Sequence, residues 1–203
     1  MTTAFAPSAP LRDSSEPKKK YPRNDAMLVA RELCAELKPF CARLIVAGSL
    51  RRRKALVGDV EILYIPNFLP GLPNDFFDSP TPINGVDSRL AYLLEHTGAL
   101  TKRLSKIGSE SWGEKNKLAV HVASGIPVDF FATTEAHWFN YLVCRTGSAE
   151  NNIRISNAAI AKRWSWHPYK GGFTDHRGDF VPVKSERDAF SLVNLDYLEP
   201  WDR

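Results

Sequence analysis

A chain of 203 residues, 43% hydrophobic and 25% charged, has the size of one large domain or two small ones and the apolar content of an ordinary globular protein. No apolar run approaches the roughly 20 residues that cross a bilayer, so a membrane partner is not expected. The formal net charge of +4 leans mildly toward polyanionic partners such as nucleic acid, with ordinary solubility charge as the open alternative. Three cysteines, Cys34, Cys41 and Cys144, are odd in number and at no metal-ligand spacing. They argue against a disulfide framework and a zinc site, and favour a reducing compartment. The N-terminus lacks the apolar core of a signal peptide, so an intracellular location is expected, cytoplasmic or nucleoid/nuclear rather than secreted.

Residues 1–20 are rich in Ser, Pro and charge and read as a flexible tail ending in Lys18, Lys19 and Lys20. From Asn24, the residues Met27, Leu28, Ala30, Leu33, Leu37 and Phe40 form an apolar stripe at helical period, which Pro39 should end. Arg43 to Ala47 reads as a strand. Gly48-Ser49 breaks it, and Ser49 is a candidate N-cap for a short turn through Arg53. Val60 to Ile65 is a second strand, stopped by Pro66. Residues 66–85 hold five prolines and two glycines without period and read as a long functional loop or insertion.

Ser88 to Leu104 reads as a helix, with Leu90, Leu93, Leu94 and Leu100 facing the core. Leu118–Ala123 and Val128–Ala132 read as an antiparallel hairpin turning at Ser124-Gly125-Ile126-Pro127. Beyond Gly147, Ser148 should cap a helix to about Trp164, with Ile153, Ile160 and Trp164 on one side. Gly171-Gly172 and Gly178-Asp179 punctuate a small sheet, and Ser185 with Asp188 resembles a capping box opening a last helix. The expected fold class is α+β: a mixed β-sheet with helices to about residue 145, then a small α+β lobe.

Asp59 and Glu61 lie two apart on a strand and so share one face, leaving Val60 and Ile62 for the core. Two carboxylates on one face repel, and a divalent cation removes the conflict. A lone Asp-x-Glu is commonplace, but three features accompany this one. Gly48-Ser49 stands ten residues upstream at a strand end, where a glycine admits a phosphate and a helix start offers N–H groups. Arg51, Arg52, Arg53 and Lys54 follow it, and arginine can chelate a triphosphate. Asp129 is a single acid in the apolar strand Val128-Asp129-Phe130-Phe131, where a strand-end cap or a salt bridge is the alternative to a metal. Together these suit metal-assisted displacement at phosphorus, with one ion activating a 3′-hydroxyl and the other holding the triphosphate.

Gly48-Ser49-Leu50-Arg51-Arg52 followed by Gly58-Asp59-Val60-Glu61 resembles the palm of family X DNA polymerases, the DNA polymerase beta type. Pro127-Val128-Asp129-Phe130-Phe131 is similar to the strand bearing that family's third carboxylate. Arg145-Thr146-Gly147-Ser148 with Asn152, and the closing stretches Val181 to Asp188 and Tyr197 to Pro200, are similar to its thumb.

The resemblance implies a nucleotidyltransferase palm over 21–145 and a thumb over 146–203, following the basic tail of 1–20. It implies DNA-directed DNA polymerase activity in short-gap synthesis or repair, with Asp59, Glu61 and Asp129 as catalytic residues and ligands of two Mg²⁺ ions (Mn²⁺ as an alternative). Gly48, Ser49, Arg52, Gly58, Gly147, Ser148 and Asn152 would bind the nucleoside triphosphate. Arg154, Lys162 and Arg163 on the thumb helix are candidates for DNA phosphates, with a solvated face equally open. The expected partners are a nucleoside triphosphate and a DNA primer/template or gapped DNA, the protein acting as a monomer. The alternatives are a nucleotidyltransferase with an RNA, protein or small-molecule acceptor, or a non-catalytic nucleic-acid-binding descendant.

Glu61 stands where the family usually has Asp, Pro127 where many members have Arg, and Cys144-Arg145 where an aromatic pair is common. The last departure predicts relaxed rejection of ribonucleotides. The length leaves no room for the family's N-terminal lyase domain, so no deoxyribose-phosphate lyase activity and a salt-sensitive grip on DNA are expected. Trp112, Trp138, Trp164, Trp166 and Trp201 are assigned mainly to packing, with base stacking as the alternative.

Overall fold

The computed structural model describes residues 19–71, 81–105 and 108–203. The tail expected over 1–20 therefore lies almost wholly outside the described residues, as do residues 72–80 of the proline-rich stretch. In chain order the elements are β1 (Tyr21–Pro22), α1 (Arg23–Leu37), a 3-10 turn (Lys38–Phe40), β2 (Cys41–Val46), α2 (Gly48–Arg51), β3 (Leu56–Val57) and β4 (Val60–Pro66). They continue with β5 (Phe68–Leu69), β6 (Ile83–Asn84), α3 (Gly85–Glu95), β7 (Leu100–Lys102), β8 (Asn116–His121) and β9 (Ile126–Ala132). A 3-10 turn (Glu135–His137) leads into α4 (Trp138–Thr146), α5 (Ala149–Ala161), β10 (Ser165–His167), β11 (Gly172–Thr174), β12 (Phe180–Pro182) and α6 (Glu186–Ser191). Among the described residues, no helix is long and apolar enough to cross a membrane.

The main sheet has five strands in the order β2-β4-β9-β8-β7. β4 and β9 run parallel and the other neighbours antiparallel, so the fold is α+β with a mixed sheet. Alternation along the strands divides the apolar residues between two faces. Val60, Ile62 and Tyr64 of β4 join Val128 and Phe130 of β9 beneath α1 and α3. Leu63, Ile65 and Phe131 face the other way, against Trp138, Tyr141 and Leu142 of α4. Full burial of each such side chain contributes about 1.5–3 kcal/mol.

The remaining chain builds a second core. Val143 from α4, Ile155 and Ala159 from α5, Phe173 from β11 and Phe190 from α6 meet there, with Trp164 and Trp166 against Phe173. The antiparallel sheet β10-β11-β12 closes it. In α6 the Ser185 hydroxyl accepts from the Asp188 N–H at 3.1 Å, and the Asp188 carboxylate accepts from the Lys184 N–H at 2.9 Å. The Ser–Asp pair thus caps the helix start as its sequence suggests.

Several elements differ from the sequence reading. In α1 the buried face is Ala26, Val29, Ala30, Leu33 and Leu37, while Leu28 is 65% exposed. α3 begins three residues earlier than expected, because the Asn84 side chain accepts from the Val86 and Asp87 N–H groups. It also ends at Glu95. Leu100 is buried as a strand residue paired with His121, so tertiary pairing overrides the helical spacing of its leucines. α4 has no counterpart in the sequence reading. In α5 the buried positions are Asn151, Ile155 and Ala159, four apart, and Ile153 and Ile160 point to solvent at 59% and 64% exposure. The proline-rich stretch contains a short ribbon, β5 paired with β6.

Candidate active site

Glu61 and Asp129 are register partners on the parallel strands β4 and β9. Neighbouring strands lie about 4.8 Å apart, so the two acids sit side by side. Both share the sheet face of Leu63 and Phe131, because their sequence neighbours Val60, Ile62, Val128 and Phe130 fill the opposite core. Asp59 immediately precedes β4, half-buried. Burial and the charges of Asp59 and Asp129 push the Glu61 carboxyl up to about 8, against the opposing pull of Arg145 and Arg52. Burial also raises Asp129, although Arg103 lies beside it in an ion pair and Arg145 adds a second cation.

The turn after β2 is built around Glu61. The Ala47 N–H donates to the Glu61 carbonyl at 2.8 Å. Gly48 has φ +61°, and a Cβ built on it would lie 2.0 Å from Glu61 Oε2. A glycine is therefore required both by the left-handed backbone and by the carboxylate resting on it. The capping position of α2 is Ala47, not Ser49, and no side chain caps the helix. Ser49 lies inside α2, half-buried, because the chain begins to coil already at Gly48. Gly58 is half-buried next to Asp59.

The basic run after this turn is largely committed to protein contacts. Arg51 donates to the Thr146 hydroxyl at 2.6 Å and to both Glu186 oxygens at 2.9 and 2.5 Å. Arg203 Nη1 lies 2.9 Å from Glu186 Oε2. Arg53 lies over the Trp201 ring at 4.0 Å. Arg52 donates to the Thr146 carbonyl, and a Cβ on Gly147 would come within 2.9 Å of its Nη1. Burial lowers the Arg52 pKa, opposed by Glu61, Glu150 and Asp59, so its charge faces the acidic edge. Sequence reasoning missed the Arg51–Glu186–Arg203 cluster, since no local spacing links residues so far apart.

The turn between α4 and α5 faces the same region. Gly147 has φ +67°, and the Gly147–Ser148 peptide bond is cis. The Ser148 hydroxyl caps α5 by accepting from the Asn151 N–H at 3.4 Å. Asn152 turns back: its amide donates to the Cys144 carbonyl at 2.9 Å. Arg145 stacks on Phe131, its guanidinium 3.5 Å from the ring centroid. This residue, absent from the sequence candidates, links α4 to the strand of Asp129. Lys162 donates to the Leu192 carbonyl at 2.6 Å and lies over Trp164, a packing role rather than an open face. Arg163 is exposed at the end of α5 and Arg154 is half-buried.

Asp59, Glu61 and Asp129 supply only carboxylate oxygen, the donor type that hard divalent ions take. A cation would offset the burial, and the repulsion from Asp59 and Asp129, that raise Glu61. In the present arrangement the three do not converge. Glu61 rests on Gly48 and Asp129 is paired with Arg103. Among the described residues no group of three His, Cys, Asp or Glu side chains is close enough to hold one ion.

The architecture is that of an α+β protein with a mixed sheet and a small, separately cored C-terminal part. Residues 141–203 match the family described as DNA polymerase beta thumb. A subdomain resembling that thumb is therefore present over this part of the chain.

Proposed function

We propose that the chain is a nucleic-acid-binding module with a nucleotidyltransferase-type palm over 21–145 and a thumb over 146–203. The observation that carries the reading is the thumb match over 141–203. The net charge of +4 supports a polyanionic partner. On this reading Gly48, Ser49, Arg52, Gly58, Gly147 and Ser148 surround a nucleotide subsite where α2 meets the α4–α5 turn.

One observation favours a second, catalytic reading: Glu61 and Asp129 are register partners on one sheet face, with Asp59 immediately before β4. The protein would then transfer a nucleotidyl group from a (d)NTP to a 3′-hydroxyl of gapped DNA, or to an RNA, protein or small-molecule acceptor. Asp59, Glu61 and Asp129 are the residues that would hold Mg²⁺ or Mn²⁺, which when bound acidifies the attacking hydroxyl and steadies the departing pyrophosphate. Arg52 would hold phosphate oxygens, and Asn152 would meet the base only after leaving the Cys144 carbonyl.

Anisotropy with labelled gapped duplex, single-stranded DNA and RNA, run beside primer extension in Mg²⁺ and Mn²⁺, separates these readings. Binding without extension or metal-dependent nucleotide uptake supports the binding module. Extension abolished by Asp129→Ala supports the transferase. Absence of binding to every nucleic acid removes the binding module and the transferase acting on DNA or RNA, and leaves only transfer to a protein or small-molecule acceptor.

A further inference from the structure

Away from the carboxylates, a cleft of about 930 Å³ opens between the far ends of β4 and β9 and the β10–β11 turn. Three of its lining aromatics stand unusually bare: Phe68 is 61%, Tyr169 56% and Phe180 55% exposed. Exposed aromatics gathered around one concavity mark a binding surface rather than scattered surface apolarity. Among the described residues the charged lining is mainly cationic, with Lys115, Lys170 and Arg145 against one acid, Glu114. The wall is pre-set. Asn140, fully buried on α4, donates to the His167 and Lys170 carbonyls at 2.8 and 2.6 Å and accepts from Trp166 Nε1 at 2.7 Å. These three bonds fix the turn that carries Tyr169 and Lys170. Tyr169 also meets Tyr141 edge-on at 5.5 Å.

We propose that this cleft is a docking groove for a single-stranded segment of nucleic acid, its bases stacking on Tyr169, Phe180 and Phe68 and its phosphates meeting Lys115 and Lys170. The inference rests on the nucleic-acid-binding reading above and names where the unpaired strand lies. Bare aromatic faces beside mobile cations are the chemistry that holds single strands without reading sequence. Arg145 gives the groove its direction. It lines the cleft, stacks on Phe131 and carries its charge toward Glu61 and Asp129, so a strand in the groove leads to the acidic edge.

The test is anisotropy of the full chain with labelled oligo-dT and oligo-rU of about 12 nucleotides, within the span such grooves cover, and with a blunt duplex. Tyr169→Ala/Phe180→Ala is expected to weaken single-strand binding about a hundredfold, roughly tenfold for each of two stacked bases lost, and to leave duplex binding nearly unchanged. Lys115→Ala/Lys170→Ala is expected to reduce the salt slope by roughly 1–1.5. Phe68→Ala, on the ribbon across the cleft, repeats the first effect for one base without touching the β10–β11 wall and so guards against misfolding. The relative affinities for dT and rU assign the strand to DNA or RNA, and weakening of either supports the groove. Unchanged single-strand affinity in all three variants overturns the groove while leaving the nucleic-acid-binding reading intact. Failure of the unsubstituted protein to bind any nucleic acid overturns both. A dimer in sedimentation that Phe180→Ala dissolves would assign the cleft to a second copy of the chain and overturn the proposal.

Discussion

Arg51 and Glu186 form a bidentate pair at 2.9 and 2.5 Å, although 135 positions of sequence separate them. The pair ties α2, which follows the first strand of the main sheet, to α6 of the C-terminal core. Both side chains are largely shielded, 17% and 15% exposed. Removing one partner leaves the other without its main compensation, so Arg51→Ala should cost about 3 kcal/mol. Urea denaturation measures this loss, and a change below about 0.5 kcal/mol would contradict the role.

The same pair sets an acid limit. Burial alone would raise the Glu186 carboxyl, but the Arg51 hydrogen bond and the charges of Arg51 and Arg203 outweigh it and hold it below the usual range. A carboxyl depressed in the fold contributes stability above its unfolded pKa and loses it as pH falls through the folded value. Thermal midpoints should therefore drop as pH falls below about 4, the unfolded range for Glu. In Glu186→Gln this part of the drop should vanish.

Glu61 acts in the opposite direction. Raised from 4.5 to about 8, it binds a proton more tightly in the folded than in the unfolded chain. Its contribution is whole below its unfolded pKa and declines as pH climbs through 8. Without divalent ions, Glu61→Gln should melt several degrees higher than the parent at pH 8 and nearly together with it at pH 4. Equal midpoints at both pH values would refute the assignment.

Gly48→Ala tests the turn. The new methyl would lie 2.0 Å from Glu61 Oε2 at a backbone with φ +61°. Conformational strain alone costs about 1–2 kcal/mol, and the Glu61 carboxylate must swing away. Chemical denaturation should show the loss, and the alkaline destabilisation due to Glu61 should shrink with it.

Asn140→Ala should be about as damaging as Arg51→Ala. It removes three hydrogen bonds from a fully buried position and strands two carbonyls and an indole N–H. At about 1 kcal/mol per bond, a cost of roughly 3 kcal/mol is expected. Faster hydrogen exchange at residues 168–171 would locate the effect.

The strands and the acids were legible in the sequence because both follow the strand period. Val60 and Ile62 announce a core face, and that forces Asp59 and Glu61 to the other. What failed depended on partners distant in sequence. The leucines from 90 to 100 keep helical spacing, yet Leu100 is claimed by His121 across a strand pair. Ile153 and Ile160 are the more apolar stripe of α5, yet the C-terminal core takes Ile155 and Ala159. The arginines after Gly48 looked free for phosphate, and only the folded chain brings Glu186, Thr146 and Trp201 to them. In the sequence Arg145 stood out only as a departure from the family's aromatic pair, since its contact with Phe131 arises only through the packing of α4 on the sheet.

α4 serves two masters: Trp138, Tyr141 and Leu142 lie on the main sheet, while Val143 enters the C-terminal core. A helix glued on both sides cannot act as a loose tether. Any large swing of the C-terminal part must pivot beyond it, at Gly147, or else roll the whole helix. A fragment cut at residue 145 would bare the Val143 side to water and should prove sticky and poorly behaved when produced alone.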